Sequence, residues 1–144
     1  MTGDNMRRQV FRRMLAREAG TGAGPPAIAA ASHRLYEHFA RKLTPVIGDA
    51  GVAAICARSL HLAQRDFPWL ATARGSNQGE GPCAGLQQSL EHQQPDVASA
   101  AAVAVLTTVG DVLASFIGES LTTRLLREAW PDDFAGDTAG ETNR

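Results

Sequence analysis

Apolar residues recur at the three- and four-residue spacing of amphipathic helices through most of this chain. The pattern predicts helices over about residues 4–18, 27–43 and 50–66, with a weaker one over 82–93. Strand signals are missing, since no stretch alternates apolar and polar residues and no Asn-Gly or Asp-Gly hairpin turn occurs. We therefore expect an all-α fold, a compact bundle of five to six helices.

The longest apolar stretch, over about 96–117, predicts an alanine-rich helix buried at the centre of the bundle. It has the length of a membrane span, but Asp111 lies inside it and alanine is only weakly hydrophobic, so membrane insertion is disfavoured. Gly118 separates it from a last helix over 119–130. Small residues recur along the stretch and would let another helix approach closely: Ala98, Ala102, Gly110, Ala114 and Gly118.

Glycine and proline divide the chain into four predicted segments. The run Gly-Thr-Gly-Ala-Gly-Pro-Pro over 20–26 predicts a linker, because a dinucleotide-binding loop would follow a strand and open a helix. Before it lies a basic amphipathic helix over 1–19, which is either a separate arm or part of the core. After it we expect a helical bundle domain over 27–131 and an acidic flexible tail over 132–144.

The formal net charge of −1 hides an opposed distribution of charges. Residues 1–74 carry 11 basic and 5 acidic side chains, a net charge of +6, whereas residues 75–144 carry 3 basic and 10 acidic ones, a net charge of −7. The two halves could pack on each other, associate head-to-tail between copies, or meet different partners. The composition, with 44 % apolar residues, excludes collagen-like, disulfide-scaffold and histone-like proteins.

Two sets of residues are candidates for interactions with partners. Leu126 and Trp130 in the last helix are candidate anchors of an apolar homodimer interface. Clustered positive charge on the first helix could bind an anionic surface or nucleic acid, although a solvated or packed helix face is the alternative. The arginines of that cluster are Arg8, Arg12, Arg13 and Arg17.

Histidine spacing makes only a weak case for a metal site. His33 and Glu37 are one helical turn apart, and a third ligand would have to come from His61 or Cys56. The paired Glu-x-x-His motifs of di-iron bundles are absent from the sequence. We therefore expect no metal and no cofactor, while a haem held by one histidine between helices stays open.

No phosphate-binding loop, serine elbow or acid–base pair stands out, so an enzymatic role is uncertain and a non-catalytic one is favoured. We predict a small regulatory or protein–protein interaction module that forms homo-oligomers and binds an unidentified protein. The alternative is a sensor or carrier that holds a small molecule or cofactor in a pocket between helices. The candidate lining residues of such a pocket are Tyr36, Phe39, His61, Phe67 and Trp69.

Two cysteines, Cys56 and Cys83, do not imply a disulfide framework in a chain large enough to have its own core. We expect Cys56 to be a small core residue and Cys83 an inert thiol. Residues 1–18 hold five arginines and no apolar run of signal-peptide length, which predicts a cytoplasmic protein. Thirteen of the 14 basic residues are arginine, which is typical of a GC-rich bacterial genome.

Overall fold

The fold is described from a computed structural model over residues 2–70 and 84–134. These residues contain no strand, and five main helices, followed by a single helical turn over 131–134, pack on one another as a compact bundle. This arrangement confirms the predicted all-α fold. The helices are α1 (Thr2–Ala19), α2 (Pro25–Ala63), α3 (Ala84–Glu91), α4 (Pro95–Ile117) and α5 (Glu119–Ala129).

The second and third helices expected from the sequence are both present, as two halves of α2 that meet at a kink with non-helical backbone at Gly48. Gly48 adopts φ 81° and ψ 165°, and a positive φ is readily accessible only to glycine. The expected stop at Thr44-Pro45 comes about one turn too early. A proline removes only one backbone hydrogen bond, so the helix runs on until a glycine permits the reversal.

α4 lies at the centre of the bundle, as the sequence predicts. Most of its side chains from Ala98 to Leu113 are buried, and each of the other four helices contacts it. α2 and α4 are both long and apolar enough to cross a membrane by length and composition alone. The core helix of a soluble protein passes the same test, and most of the apolar segment of α4 is buried here. Length and apolarity therefore do not assign either helix to a membrane.

α1 packs into the bundle through its apolar stripe. Val10, Phe11, Met14 and Leu15 are each at most 5 % exposed, and α1 contacts both α2 and α4. Burial of each such side chain stabilises a fold by about 1.5–3 kcal/mol, which explains why the helix is not solvated on all sides. The structure therefore places α1 in the core and not apart from it as an isolated arm.

The contacts at either end of α4 fix the directions of its neighbours. Arg7 near the start of α1 meets Asp111 near the end of α4, whereas Leu15 shares a cavity with Pro95, so α1 runs antiparallel to α4. Ile28 near the start of α2 lines that same cavity. The first half of α2 therefore runs parallel to α4, and its bend at Gly48 lies at the end of the bundle where α4 stops.

Cys56 departs from the sequence-based expectation. It is fully buried in the core of α2, but it is also disulfide-bonded. The other cysteine of the chain, Cys83, lies outside the described residues. Two cysteines 27 positions apart give no spacing signal for a bond, because bridging depends on which helices the fold brings together.

Candidate functional site

A buried arginine joins three helices at one end of the bundle. The Arg7 side chain is only 8 % exposed, and its guanidinium donates a hydrogen bond of 2.7 Å to Asp111 Oδ1 and one of 3.1 Å to Glu119 Oε1. Asp111 lies on α4 and Glu119 at the start of α5, so one side chain ties α1 to both. Arg7 is the one arginine that interrupts the apolar stripe of α1, and this ion-paired cluster explains why it can lie there.

The cluster shifts the pKa values of its members. Burial by itself lowers the pKa of Arg7, but hydrogen bonds and charges from Glu119 and Asp111 outweigh burial, so the Arg7 pKa is raised. The hydrogen bond from Arg7 lowers the pKa of Glu119, against a smaller opposing effect of burial. Arg7 and Glu119 therefore both stay charged at neutral pH, which suits a structural tie between helices.

Ion pairs also connect the basic first half of the chain to its acidic second half elsewhere. Arg17 of α1 lies 2.8 Å from Asp133 after α5, in addition to the pairs made by Arg7. At these positions the opposite charges of the two halves therefore pair within one molecule. Of the three arrangements considered from the sequence, this is the one in which the two halves pack on each other.

The candidate homodimer anchors of the last helix point into the bundle. Leu126 is 1 % exposed, and Trp130 is half-buried in an aromatic cluster. The Trp130 ring centroid lies 5.7 Å from that of Phe11, 5.5 Å from Phe39 and 6.1 Å from Phe134. These two residues thus stabilise the tertiary fold. The amphipathic pattern of α5 predicts which of its faces is apolar, but it does not predict that the same molecule covers that face.

The five residues considered for a small-molecule pocket do not come together. Phe39 is buried against Trp130, and His61 is exposed. Tyr36 is half-buried, and burial together with the charge of Glu37 raises its pKa. Phe67 and Trp69 pack against each other at 6.0 Å between ring centroids. Of the five, only Phe67 lines either of the two larger cavities, which lie between α1 and α4.

His33 and Glu37 form an exposed pair, with 3.4 Å between His33 Nε2 and Glu37 Oε2. The exposed His61 does not join them, and the described part of the chain holds no group of three His, Cys, Asp or Glu side chains that could bind a metal ion. Two exposed side chains one turn apart form an ordinary surface ion pair.

A groove runs between α1 and the first half of α4. It consists of two adjoining cavities of about 360 and 400 Å³, which share Arg12, Asp96, Ser99 and Val103 in their linings. Arg8 lines the second cavity from the same face of α1, one turn before Arg12. Of the arginines predicted to interact, these two lie in the groove, Arg13 is exposed outside it, and Arg17 pairs with Asp133.

Comparison with known proteins gives no relative. No protein-family model, no curated protein and no solved structure matches this chain.

Exposed apolar side chains mark the end of the bundle where α4 stops. Phe116 is 68 % exposed, Val46 is 46 % exposed and Met6 is 36 % exposed, and these are the large exposed hydrophobics of the described residues. Met6 adjoins Arg7, Val46 precedes the bend of α2 and Phe116 is next to the last residue of α4, so all three lie at this end. Phe116 lies three residues after the buried Leu113 on α4 but is itself largely exposed.

Proposed function

We propose that this chain is a small non-catalytic module that acts through protein–protein contact, and that it self-associates through the end carrying Met6, Val46 and Phe116. The observation that supports this most directly is the exposure of Phe116. Soluble proteins show few large exposed aromatic side chains, and neighbouring exposed hydrophobics at one location are typical of interaction sites. Aromatic residues are also enriched among the anchors of interfaces.

The surroundings of Phe116 suit an interface. Arg7 fixes the ends of α1, α4 and α5 to one another through Asp111 and Glu119, so the helix ends that carry Met6 and Phe116 are held together. A surface that is already ordered loses little conformational freedom on association. This local order favours the end of the bundle as a contact surface.

A second copy of the chain is the partner we propose. Closed two-fold dimers are the commonest oligomers, and a two-fold axis passing near this end would bring the two Phe116 side chains together. An apolar contact of this kind persists or tightens as salt rises, because salt strengthens the exclusion of apolar surface from water. An electrostatic head-to-tail contact would instead weaken with salt.

Sedimentation equilibrium at low and high salt tests this proposal. We expect a dimer at both salt concentrations, and Phe116→Ser should weaken it by about tenfold or more, since a buried phenylalanine contributes about 1.5–3 kcal/mol. Ala54→Ser, on an exposed face of the second half of α2, is the matched control and should leave the dimer unchanged. A chain that stays monomeric throughout, or a dimer indifferent to Phe116→Ser, would overturn it.

We infer a second function, the binding of a small molecule, from the groove between α1 and α4. Ligand sites have volumes of about 300–1,000 Å³, and each of the two adjoining cavities reaches that range. Native mass spectrometry of the purified chain tests both functions at once, because it reports the oligomeric state and any retained ligand together. A titration with defined small molecules decides the second function where nothing is retained.

A further inference from the structure

We infer that the groove between α1 and α4 binds a free apolar amino acid, recognised as a zwitterion. This inference rests on the small-molecule-binding function proposed above and names its ligand class. It depends on the charges that line the second cavity, on their lack of partners, and on the apolar surface between them.

Charged side chains of both signs line this cavity from different elements. Arg8 and Arg12 contribute guanidinium groups from α1, while Asp96 contributes a carboxylate from the first turn of α4. Asp66, just after α2, adds a second carboxylate. The lining therefore carries two positive and two negative groups around a space of about 400 Å³.

None of these four side chains forms an ion pair with another described residue. Arg17 pairs with Asp133 and Arg34 with Glu18 at 2.8 Å, whereas exposed arginines outside the groove, such as Arg41 and Arg58, form no ion pair with a described residue. What distinguishes the four side chains is therefore that they share one cavity. Opposite charges that share a cavity without touching are positioned for a molecule that contacts both.

The mixture of signs selects the ligand class. An anion that approached Arg8 and Arg12 would also approach the carboxylate of Asp96, and a cation that approached Asp96 would meet the guanidinium groups. A zwitterion avoids both penalties, because its carboxylate accepts hydrogen bonds from the arginines while its ammonium group donates to an aspartate. Free amino acids carry the ammonium and carboxylate groups on the same carbon atom of one small molecule.

Apolar side chains supply most of the remaining surface of the cavity. Phe67 and Val103 line it together with Ala100 and Ala104, and the Ser99 hydroxyl is the one uncharged polar side-chain group of the lining. A volume of about 400 Å³ lies at the small end of the range for ligand sites. These features favour an aliphatic or aromatic amino acid over a charged one.

Isothermal titration calorimetry on the full chain tests the ligand class with leucine, valine and phenylalanine as probes. We expect saturable binding of at least one of them. N-acetyl-leucine, which keeps only the carboxylate, and leucine amide, which keeps only the ammonium group, should each bind about tenfold more weakly or worse than leucine does, as expected when one charged contact is lost. If the single-charge analogues bind as well as leucine, the ligand class is wrong while small-molecule binding stands. If no probe binds, the groove proposal fails.

Substitutions then place the binding in the groove. Arg12→Gln and Asp96→Asn should each weaken binding of the best probe about tenfold, because each removes one charge from a surface side chain and leaves the fold intact. Arg13→Gln is the matched control, since Arg13 is exposed on α1 beside Arg12 but lines neither cavity. Equal binding by all three variants would show that the amino acid binds elsewhere and would overturn the assignment.

Discussion

A methyl group on Gly110 would lie 3.0 Å from Cδ of Arg7 and 3.1 Å from its Nε. The glycine of α4 therefore makes the space in which the Arg7 side chain reaches Asp111 and Glu119. Nε of Arg7 is itself buried without a hydrogen-bond partner among the described residues. The small residues of α4 admit a charged side chain from α1, where the sequence led us to expect close approach of a whole helix.

Gly110→Ala should destabilise the chain although alanine is the better helix former. In a helix interior, alanine in place of glycine stabilises by up to about 1 kcal/mol, but here its methyl group meets a side chain held by two carboxylates. In an Arg7→Ala background the same change should stabilise by up to about 1 kcal/mol. Urea denaturation of the four proteins of this double-mutant cycle measures the reversal of sign. The same sign in both backgrounds would show that Arg7 does not occupy the space beside Gly110.

The Arg7 cluster should make stability depend on acid pH. The pKa of Glu119 is lowered below 4.5 by the hydrogen bond from Arg7, so its contribution is complete above 4.5 and is lost as pH falls through the lowered value. Glu119→Gln should therefore be less stable than the natural chain at pH 7, and the gap should narrow below pH 4.5. Urea midpoints at several pH values measure this, and Glu128→Gln on the exposed face of α5 is the control.

Phe11 should be among the most sensitive positions of the chain. It is fully buried and meets the Trp130 ring edge-on at an interplanar angle of 89°, so it joins α1 to the residues after α5. Phe11→Ala should cost about 3–5 kcal/mol, as truncations of buried aromatic residues do. The exposed Gln9→Ala on the same helix should change stability by less than about 0.5 kcal/mol. Near-equal denaturation midpoints would mean that α1 is dispensable to the core.

The bonded state of Cys56 should be visible in alkylation experiments. Disulfides persist in oxidising environments and are rare in the cytosol, so a cytoplasmic location predicts reduced thiols. In the structure Cys56 is instead disulfide-bonded, which predicts an oxidised chain. Alkylation of the denatured chain immediately after cell lysis, followed by mass spectrometry, separates these outcomes. An oxidised chain takes up label only after reduction, and Cys56→Ser should then destabilise it by about 2–4 kcal/mol. Full labelling without prior reduction would show that Cys56 is not disulfide-bonded and would support a cytoplasmic location.

The sequence by itself determined which segments are helical and which of their faces are apolar. The apolar stripe Met6, Val10, Phe11, Met14 and Leu15 predicted the buried face of α1, where Met6 alone of the five is exposed. The long apolar run predicted the burial of α4. Both follow from side-chain spacing, because residues three and four apart share a helix face whatever the rest of the fold does.

Only the tertiary structure decided what covers each face. It placed Trp130 inside the molecule, left Phe116 exposed and set Arg7 against Gly110. It also brought Asp66 and Asp96 to the groove beside the arginines of α1. Such contacts join residues far apart along the chain, and the spacing of residues within one helix carries no information about which helix will lie beside it.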